Sequence, residues 1–290
     1  MKKILITGAN SYIGTSFERY MQQYADEYQV DTIDMIDGTW REKDFSGYDV
    51  VYHVAGIAHS DNGKISKEKE KIYYAINTEL TIETAKKAKA EGVKQFVFMS
   101  SAIVYGNSAS LGKEKIITKD TPTSPSNCYG DSKVQAENGI LPLSDNNFKV
   151  VVLRPPMIYG KGSKGNYPAL VKFAKKLSVF PYVKNQRSML YIENLLEFVR
   201  LMISNEENGI FFPQNLEYSN TSEMVKMIGA AHGKKVRLVK GFTWVLKFLS
   251  VFTGLINKAF GSLTYTQEMS AYKQEYRKFS LEKSIEATEK

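Results

Sequence analysis

A tyrosine and a lysine four residues apart form the strongest chemical signal in the sequence. Tyr129 and Lys133 open a predicted helix, a spacing that places both side chains on one helical face. An ammonium beside a phenol lowers the tyrosine pKa from its usual value of about 10, so the pair predicts a tyrosine that exchanges protons at neutral pH. Such pairs also occur on ordinary helix surfaces. The position of this one, between the fourth and fifth predicted strands, favours the chemical interpretation.

Two further polar positions fall where they would support that tyrosine. Ser100 and Ser101 follow the apolar run 96–99, at the carboxyl end of a predicted strand, where parallel sheets bind ligands. A hydroxyl there either hydrogen-bonds the reacting oxygen of a substrate or simply caps the strand. Asn77 lies inside a predicted helix, where an amide is a poor helix former. It is either exposed or bonded to backbone groups beneath an active site.

The segment Gly8-Ala9-Asn10-Ser11-Tyr12-Ile13-Gly14 separates the first predicted strand from a helix. Gly8 suits a tight turn and Gly14 suits close packing of helix on strand, the arrangement that receives a pyrophosphate at a helix N-terminus. Ser11 replaces the middle glycine of the usual spacing. The glycines alone fit an ordinary strand-to-helix turn equally well.

An acidic residue about 20 positions after this turn is expected to bind the ribose 2′-hydroxyl of NAD. Asp34, at the end of the second predicted strand, is the candidate. Arg41 and Lys43 follow closely and would instead suit the 2′-phosphate of NADP. The sequence leaves NAD(H) and NADP(H) both open.

Strand and helix patterns alternate through the first half of the chain, which predicts an α/β fold with a Rossmann-type doubly wound parallel sheet. A long helix is expected over residues 66–91. Beyond Pro156 the elements become shorter and mixed. We therefore predict a dinucleotide-binding domain over residues 1–156 and a smaller mixed C-terminal substrate lobe over residues 157–290, with some segments returning to the sheet.

Composition excludes several classes of protein. The formal net charge of +8 suits an anionic ligand. We identify no basic block with interleaved aromatics, so nucleic-acid binding is not predicted. The single cysteine, Cys128, fits a reducing cytoplasm. We expect no transmembrane segment, and we expect residues 244–260 to pack on the substrate lobe rather than on a membrane. His53 is expected in the core, and His59 and His232 have no companions at metal-ligand spacing, so no metal site is predicted.

Taken together, these motifs resemble those of the extended short-chain dehydrogenases, the NAD-dependent epimerase/dehydratase family. The family pattern Thr-Gly-x-x-Gly-x-x-Gly corresponds to residues 7–14, with serine at position 11, and Ser-Ser-x-x-Val-Tyr-Gly corresponds to residues 100–106. Three further segments resemble segments of the family. Residues 49–56 resemble the strand that leads to the nicotinamide side, and residues 153–160 resemble the segment that borders the nicotinamide. Residues 186–195 resemble the segment that carries a phosphate-binding arginine. The resemblance runs from Met1 to about Leu195 and continues loosely to the end.

The resemblance implies roles for individual residues. The catalytic residues would be Ser101, Tyr129 and Lys133. The nucleotide sugar would be bound by Ser101 and Arg187, with Asn166 and Tyr167 as weaker candidates. The cofactor would be bound by Gly8, Asn10, Ser11, Tyr12, Ile13, Gly14, Asp34, Val54, Ala55, Gly56, Asn77, Tyr129, Lys133 and Pro156.

Three functions remain open on the sequence. The first is NAD(P)H-dependent reduction, at C4, of a UDP-linked 4-keto-6-deoxy-hexose or its amino derivative for surface polysaccharide synthesis. The second is a UDP-hexose or UDP-N-acetylhexosamine 4-epimerase with retained NAD. The third is a non-catalytic cofactor sensor or scaffold, which the presence of Ser101, Tyr129 and Lys133 disfavours. The resemblance also implies a homodimer.

Overall fold

The computed structural model describes residues 1–58, 65–250 and 254–290. Its largest sheet has six strands, all paired in parallel. The other strands found in those ranges form three two-stranded parallel sheets. The strands are β1 (Lys2–Thr7), β2 (Tyr28–Ile33), β3 (Val50–His53), β4 (Gln95–Met99), β5 (Ile116–Ile117), β6 (Lys149–Leu153), β7 (Met157–Tyr159), β8 (Val179–Pro181), β9 (Met189–Tyr191), β10 (Gly209–Phe211), β11 (Arg237–Val239) and β12 (Thr264–Tyr265).

The helices cover the sheet and build the second half of the chain. The expected helix over residues 66–91 is interrupted by a π-helical turn, Ala75–Glu79, so that α2 and α3 flank it. The helices are α1 (Tyr12–Met21), α2 (Lys67–Tyr74), α3 (Leu80–Ala90), α4 (Cys128–Ile140), α5 (Tyr167–Lys176), α6 (Ile192–Ser204), α7 (Thr221–Ala231), α8 (Thr243–Ser250), α9 (Gly254–Phe260) and α10 (Leu281–Glu289).

The strand order of the large sheet is β10-β6-β4-β3-β1-β2. The chain starts in the interior of the sheet, winds outward to β2, and then crosses back through β3, β4 and β6. This order confirms the predicted doubly wound fold. The central strands β3 and β4 are buried at every position, as expected for parallel strands covered on both faces. Their carboxyl ends lie at one edge of the sheet, and the segments that follow them are therefore brought together.

The structure divides the chain into two compact units. The first contains the large sheet and comprises Met1–Gly106, Thr123–Pro155 and Leu196–Phe212; the second comprises Asn107–Pro122, Pro156–Leu195 and Pro213–Lys290. Residues 107–122 lie before the predicted boundary at 156, yet they belong to the second unit because β5 pairs with β12. Residues 196–212 return to the first unit because β10 pairs with β6.

The core of the first unit lies between the sheet and its helices. Its cluster joins residues of β1, β3, β4 and β6 to α3 and α4, including the fully buried Phe96, Phe98 and Val152. Trp40 and Phe45, from the short link between β2 and β3, are also fully buried in this cluster. That link carries a single turn of 3₁₀-helix, Thr39–Arg41, in place of a crossover helix.

Candidate active site

The turn between β1 and α1 is held against the residues that follow β3. Gly8 has φ +100°, and a Cβ added to it would lie 2.8 Å from the backbone nitrogen of Ala55. Asn10 also has a positive φ, 63°, which asparagine tolerates better than most residues. Glycine is thus required at position 8 by conformation and by space. This geometry fits a pyrophosphate, which needs backbone N–H groups at a helix N-terminus.

Serine at position 11 has a role that the glycine motif does not indicate. Ser11 caps α1, and its Oγ accepts a hydrogen bond from the backbone nitrogen of Gly14 at 3.0 Å. A Cβ on Gly14 would lie 2.7 Å from that oxygen and 3.2 Å from Cγ2 of Val54. Gly14 therefore lets α1 pack closely on the chain beyond β3. Tyr12 and Ile13, the first residues of α1, complete the turn.

Asp34 and its basic neighbours differ in their availability to a ligand. Asp34 directly follows β2, is exposed, and accepts a hydrogen bond from the backbone of Ile36 at 2.9 Å. The guanidinium of Arg41, the first alternative ligand for a 2′-phosphate, makes two 2.5 Å hydrogen bonds to the carboxylate of Glu83. The ammonium of Lys43 lies 5.6 Å from the ring centroid of Tyr48. Asp34 is thus exposed, and the contacts described for its carboxylate include no basic partner.

The π-helical turn places Asn77 beneath the segment that follows β3. Asn77 is fully buried; its Oδ1 accepts from the backbone nitrogen of Ile57 at 2.8 Å, and its Nδ2 donates to Ile57 and to Ser132. This is the second of the two roles that the sequence allowed. A Cβ on Gly56 would lie 3.0 Å from Asn77 Oδ1 and 3.3 Å from Lys133 Nζ. Asn77 therefore holds the backbone that follows β3 instead of presenting its amide to solvent.

Ser101 and Tyr129 are brought together by close packing of α4 on the 3₁₀ turn Ala102–Tyr105. A Cβ on Gly130 would lie 2.8 Å from the carbonyl oxygen of Ile103. Burial raises the pKa of Tyr129 to about 12, and a hydrogen bond with Ser101 acts in the opposite direction. The serine hydroxyl also accepts from the backbone of Ile103 at 3.2 Å.

Lys133 is buried next to these groups, but it does not produce the expected lowering of the Tyr129 pKa. Its Nζ donates to the carbonyl oxygen of Met99 at 2.9 Å and lies 4.6 Å from the ring centroid of Phe98. Burial lowers the pKa of Lys133 to about 8, while the charge of Glu137 acts to raise it. The prediction for Tyr129 was wrong because burial outweighs any charge effect of the lysine.

A buried ion pair under this cluster was missed in the sequence. Glu137 and Arg154 are 2 % and 9 % exposed, and Arg154 donates to the carboxylate through Nε at 3.1 Å and Nη2 at 2.5 Å. Ser100 donates to the same carboxylate, and Arg154 Nη1 donates to the Tyr105 hydroxyl at 2.7 Å. The spacing puts Glu137 on the helical face of Lys133, but no local pattern indicates its pairing with Arg154, which lies 17 residues further on.

The second unit contains a cavity of about 450 Å³. Its walls are mostly apolar, and its polar lining includes Asn166 and Arg187, two of the predicted substrate residues. Arg187 donates through Nη1 to the carbonyl oxygens of Lys258 at 2.6 Å and Ala259 at 3.3 Å, near the end of α9. The structure thus brings two of the three predicted substrate residues of this unit to one cavity of a size suited to small ligands.

Tyr167 does not line that cavity, and its position gives no support to the predicted role in substrate binding. It is 2 % exposed, its ring stacks on Tyr159 with centroids 5.3 Å apart, and its hydroxyl donates to Glu289 at 2.8 Å. These contacts identify it as a core residue. Pro156 is buried directly after β6, and the preceding Pro155 accepts a hydrogen bond from the backbone of Ala102 at 2.8 Å.

The remaining histidine and membrane predictions concern residues away from these clusters. His53 is fully buried between the hydroxyls of Thr7 and Thr81, and burial lowers its pKa to about 3, so it is a core residue as predicted. His59 lies outside the described residues. Within the described ranges, no cluster of potential metal ligands is found, and no helix is long and apolar enough to cross a bilayer.

Comparison with known proteins supports the geometric assignment of the fold. Residues 4–212 match the profile described as "NAD dependent epimerase/dehydratase family". The chain is 28% identical over 300 residues to the UDP-glucose 4-epimerase of Vibrio cholerae, covering 94% of this chain and 90% of that protein. The structure of a dTDP-4-dehydrorhamnose reductase from Clostridium acetobutylicum gives a TM-score of 0.73 at 16% sequence identity. The match covers 99% of this chain and 98% of that chain. The structure of the UDP-glucuronic acid 4-epimerase of Bacillus cereus in complex with NAD gives a TM-score of 0.73 at 18% sequence identity. The match covers 98% of this chain and 96% of that chain.

Proposed function

Because the chain belongs to the NAD-dependent epimerase/dehydratase family, an NAD(P)-dependent group of enzymes, we propose that it reduces a UDP-linked 4-keto-6-deoxy-hexose or its amino derivative at C4. The observation that carries this choice is the environment of Tyr129. Its phenol adjoins the Ser101 hydroxyl, and burial raises its pKa to about 12. The phenol is protonated at neutral pH, as an ordinary tyrosine also is, and the Ser101 hydroxyl beside it would hydrogen-bond the same ketone oxygen that receives the proton.

Three side chains of the first unit would have separate roles in this reaction. Reduced nicotinamide, when bound, supplies the hydride for the sugar carbon. Ser101 hydrogen-bonds the carbonyl oxygen and orients it. Tyr129 donates its proton to that oxygen. Lys133, whose pKa of about 8 leaves it largely protonated at pH 7, holds the ribose hydroxyls of the cofactor.

The cofactor that best fits the described residues is NADH. The exposed Asp34 carboxylate accepts hydrogen bonds from a ribose 2′-hydroxyl and repels a 2′-phosphate. Arg41, the nearest alternative for a phosphate, is paired with Glu83. Gly8 lets the turn after β1 lie against the backbone of Ala55, and the turn leads to the N-terminus of α1, where a pyrophosphate would accept backbone hydrogen bonds.

For the nucleotide sugar we propose the cavity of the second unit. Arg187 would bind the diphosphate through its planar fork, and Asn166 would hydrogen-bond the nucleotide. The apolar walls suit the flat faces of a base and a 6-deoxy carbon. To accept a phosphate, Arg187 would exchange its hydrogen bonds to the carbonyls of Lys258 and Ala259.

The second candidate is a UDP-hexose 4-epimerase with retained NAD. It is supported by the similarity over 94% of the chain to a UDP-glucose 4-epimerase, and by the same Asp34 environment. In this reaction Tyr129 would first act as a base, which requires a lower pKa than the protein alone provides.

The test uses purified protein, UDP-4-keto-6-deoxy-N-acetylglucosamine, and NADH or NADPH in separate reactions. We expect loss of reduced-nicotinamide absorbance and a 4-hydroxy product by NMR, faster with NADH. Tyr129→Phe should lower kcat by about 10²- to 10⁴-fold while preserving NADH binding. Tyr74→Phe, a change at a nearby tyrosine bonded to Asp131, is the matched control and should be near wild type.

The epimerase is tested in parallel with UDP-N-acetylglucosamine and no added cofactor. Formation of UDP-N-acetylgalactosamine by protein that retains NAD, with no reduction of the 4-keto sugar, would replace the first proposal by the second. Unchanged turnover in Tyr129→Phe would contradict both.

A further inference from the structure

Most of the net charge of the chain comes from one continuous segment. Residues 224–267 contain seven lysines and arginines and no aspartate or glutamate. The rest of the chain carries 32 basic and 31 acidic residues, so it is nearly neutral. The formal charge of +8 is therefore concentrated in a stretch that includes β11, α8 and α9. A ligand attracted by this charge would be attracted to this part of the second unit.

The same segment exposes large aromatic side chains. Phe242, Trp244 and Phe248 are 51%, 74% and 63% exposed. Trp244 and Phe248 are four residues apart on α8 and lie on one face of that helix. Leu246, on another side of the helix, lines the cavity. The expected packing of residues 244–260 on the second unit is met by Leu246, Ile256 and Phe260, which line the cavity, whereas the rings of Trp244 and Phe248 are exposed.

Basic side chains accompany the exposed aromatics. Lys240 precedes them and Lys247 adjoins Phe248 on α8, and both lysines are exposed. We call Lys240, Phe242, Trp244, Lys247 and Phe248 the aromatic-basic patch. Aromatic rings next to lysines, on a short helix with one face packed on the protein, are the composition of helices that lie in a membrane interface.

We propose that the aromatic-basic patch docks this protein on the surface of an anionic lipid bilayer. The aromatic rings would enter the boundary between headgroups and acyl chains, and the lysines would meet the lipid phosphates. Charge complementarity favours this occupant, because the surrounding segment has no acidic residue and anionic bilayers present a dense negative surface. Attachment would be peripheral, since no helix in residues 1–58, 65–250 and 254–290 is long and apolar enough to span a bilayer.

This inference goes beyond the proposed reaction and does not depend on it. The patch residues are separate from Ser101, Tyr129 and Lys133, and binding to lipid is measured without substrate. A protein that binds vesicles but does not reduce a 4-keto sugar would retain this proposal and lose the earlier one. A protein that reduces the sugar but does not bind vesicles would retain the proposed reaction and lose the lipid-binding proposal.

The test is flotation of the full-length protein with vesicles of phosphatidylglycerol and phosphatidylcholine, compared with vesicles of phosphatidylcholine alone. We expect binding to the anionic vesicles, weakened by salt. The fluorescence of Trp244 should shift to shorter wavelength on binding. The only other tryptophan, Trp40, is fully buried and should not respond.

Two double variants separate the contributions of charge and aromatic rings. Lys240→Glu/Lys247→Glu should weaken vesicle binding by at least about 30-fold, because each lysine near an anionic surface contributes about 1 kcal/mol. Trp244→Ser/Phe248→Ser should weaken it by at least about tenfold. Lys86→Glu/Lys119→Glu makes the same charge change at exposed lysines elsewhere, and Leu216→Ser removes an exposed apolar side chain elsewhere. Both controls should bind nearly as wild type.

Three outcomes would overturn the proposal. The first is no flotation with anionic vesicles at low salt. The second is equal binding by the patch variants and their controls. The third is a change from dimer to monomer in Trp244→Ser/Phe248→Ser without loss of lipid binding, which would assign the patch to a second copy of the chain. Circular dichroism on each variant confirms that it is folded before binding is compared.

Discussion

Replacing Glu137 by glutamine tests the contribution of the buried ion pair to the stability of the first unit. The variant keeps the side-chain volume but leaves the guanidinium of Arg154, 9 % exposed, without its counter-charge. Breaking a buried pair in this way costs about 3–5 kcal/mol. Arg154 makes hydrogen bonds of 3.1 and 2.5 Å to that carboxylate, and Ser100 donates to it as well. We therefore expect a loss of about 4 kcal/mol, in the middle of that range.

Urea unfolding can follow the first unit specifically because each unit holds one tryptophan, Trp40 in the first and Trp244 in the second. A Trp244→Phe background leaves the fluorescence of Trp40 as the signal. With a denaturant slope of about 3 kcal/mol per molar urea, the midpoint should fall by about 1.3 M in Glu137→Gln. The same variant should shift the alkaline limit of activity to lower pH, because loss of the Glu137 charge lowers the pKa of Lys133 below about 8.

The double variant Glu137→Leu/Arg154→Met provides the control. Replacement of both members of a buried pair by apolar residues of similar size is often close to neutral. We expect its stability to return to within about 1 kcal/mol of wild type. A loss below about 1 kcal/mol in Glu137→Gln, or a double variant as unstable as the single one, would refute the reasoning that an uncompensated charge causes the effect.

Three further predictions concern the cofactor side of the first unit. Lys133→Met should raise the free energy of unfolding at pH 7 by up to about 3 kcal/mol while abolishing activity, because burial lowers the lysine pKa from 10.5 to about 8. Urea titrations should show this gain shrinking from pH 8 to 10.5, where the unfolded chain binds the proton that the folded wild type has lost. Ser11→Ala should lower the free energy of unfolding by about 0.5–2 kcal/mol through loss of the α1 cap, and Ser11→Gly by only a few tenths. Asp34→Ala should raise the Kd for NADH more than that for NADPH by calorimetry; equal changes would argue against its contact with the ribose.

Local sequence patterns predicted the parallel sheet because the information they carry is local. Runs such as Phe96–Phe98 and Val150–Val152 specify strands buried on both faces, and the glycines at positions 8 and 14 mark the turn into α1. The four-residue spacing of Tyr129 and Lys133 specifies a shared helical face wherever the helix is placed. The sequence also indicated that the long helix would contain an unfavourable residue at Asn77, although not that a π-helical turn accommodates it.

The pairing and burial of side chains were decided by contacts between residues distant in the sequence. Whether Arg41 could bind a phosphate depended on Glu83, 42 residues away, and the core position of Tyr167 depended on Glu289. The Tyr129 pKa followed from burial, which spacing cannot measure. Sequence by itself determined the element types and the residues available for chemistry, because hydrogen bonding and side-chain periodicity act over a few residues. Tertiary structure decided which of those residues are charged, paired or accessible, because desolvation and ion pairing depend on neighbours that only the folded chain brings together.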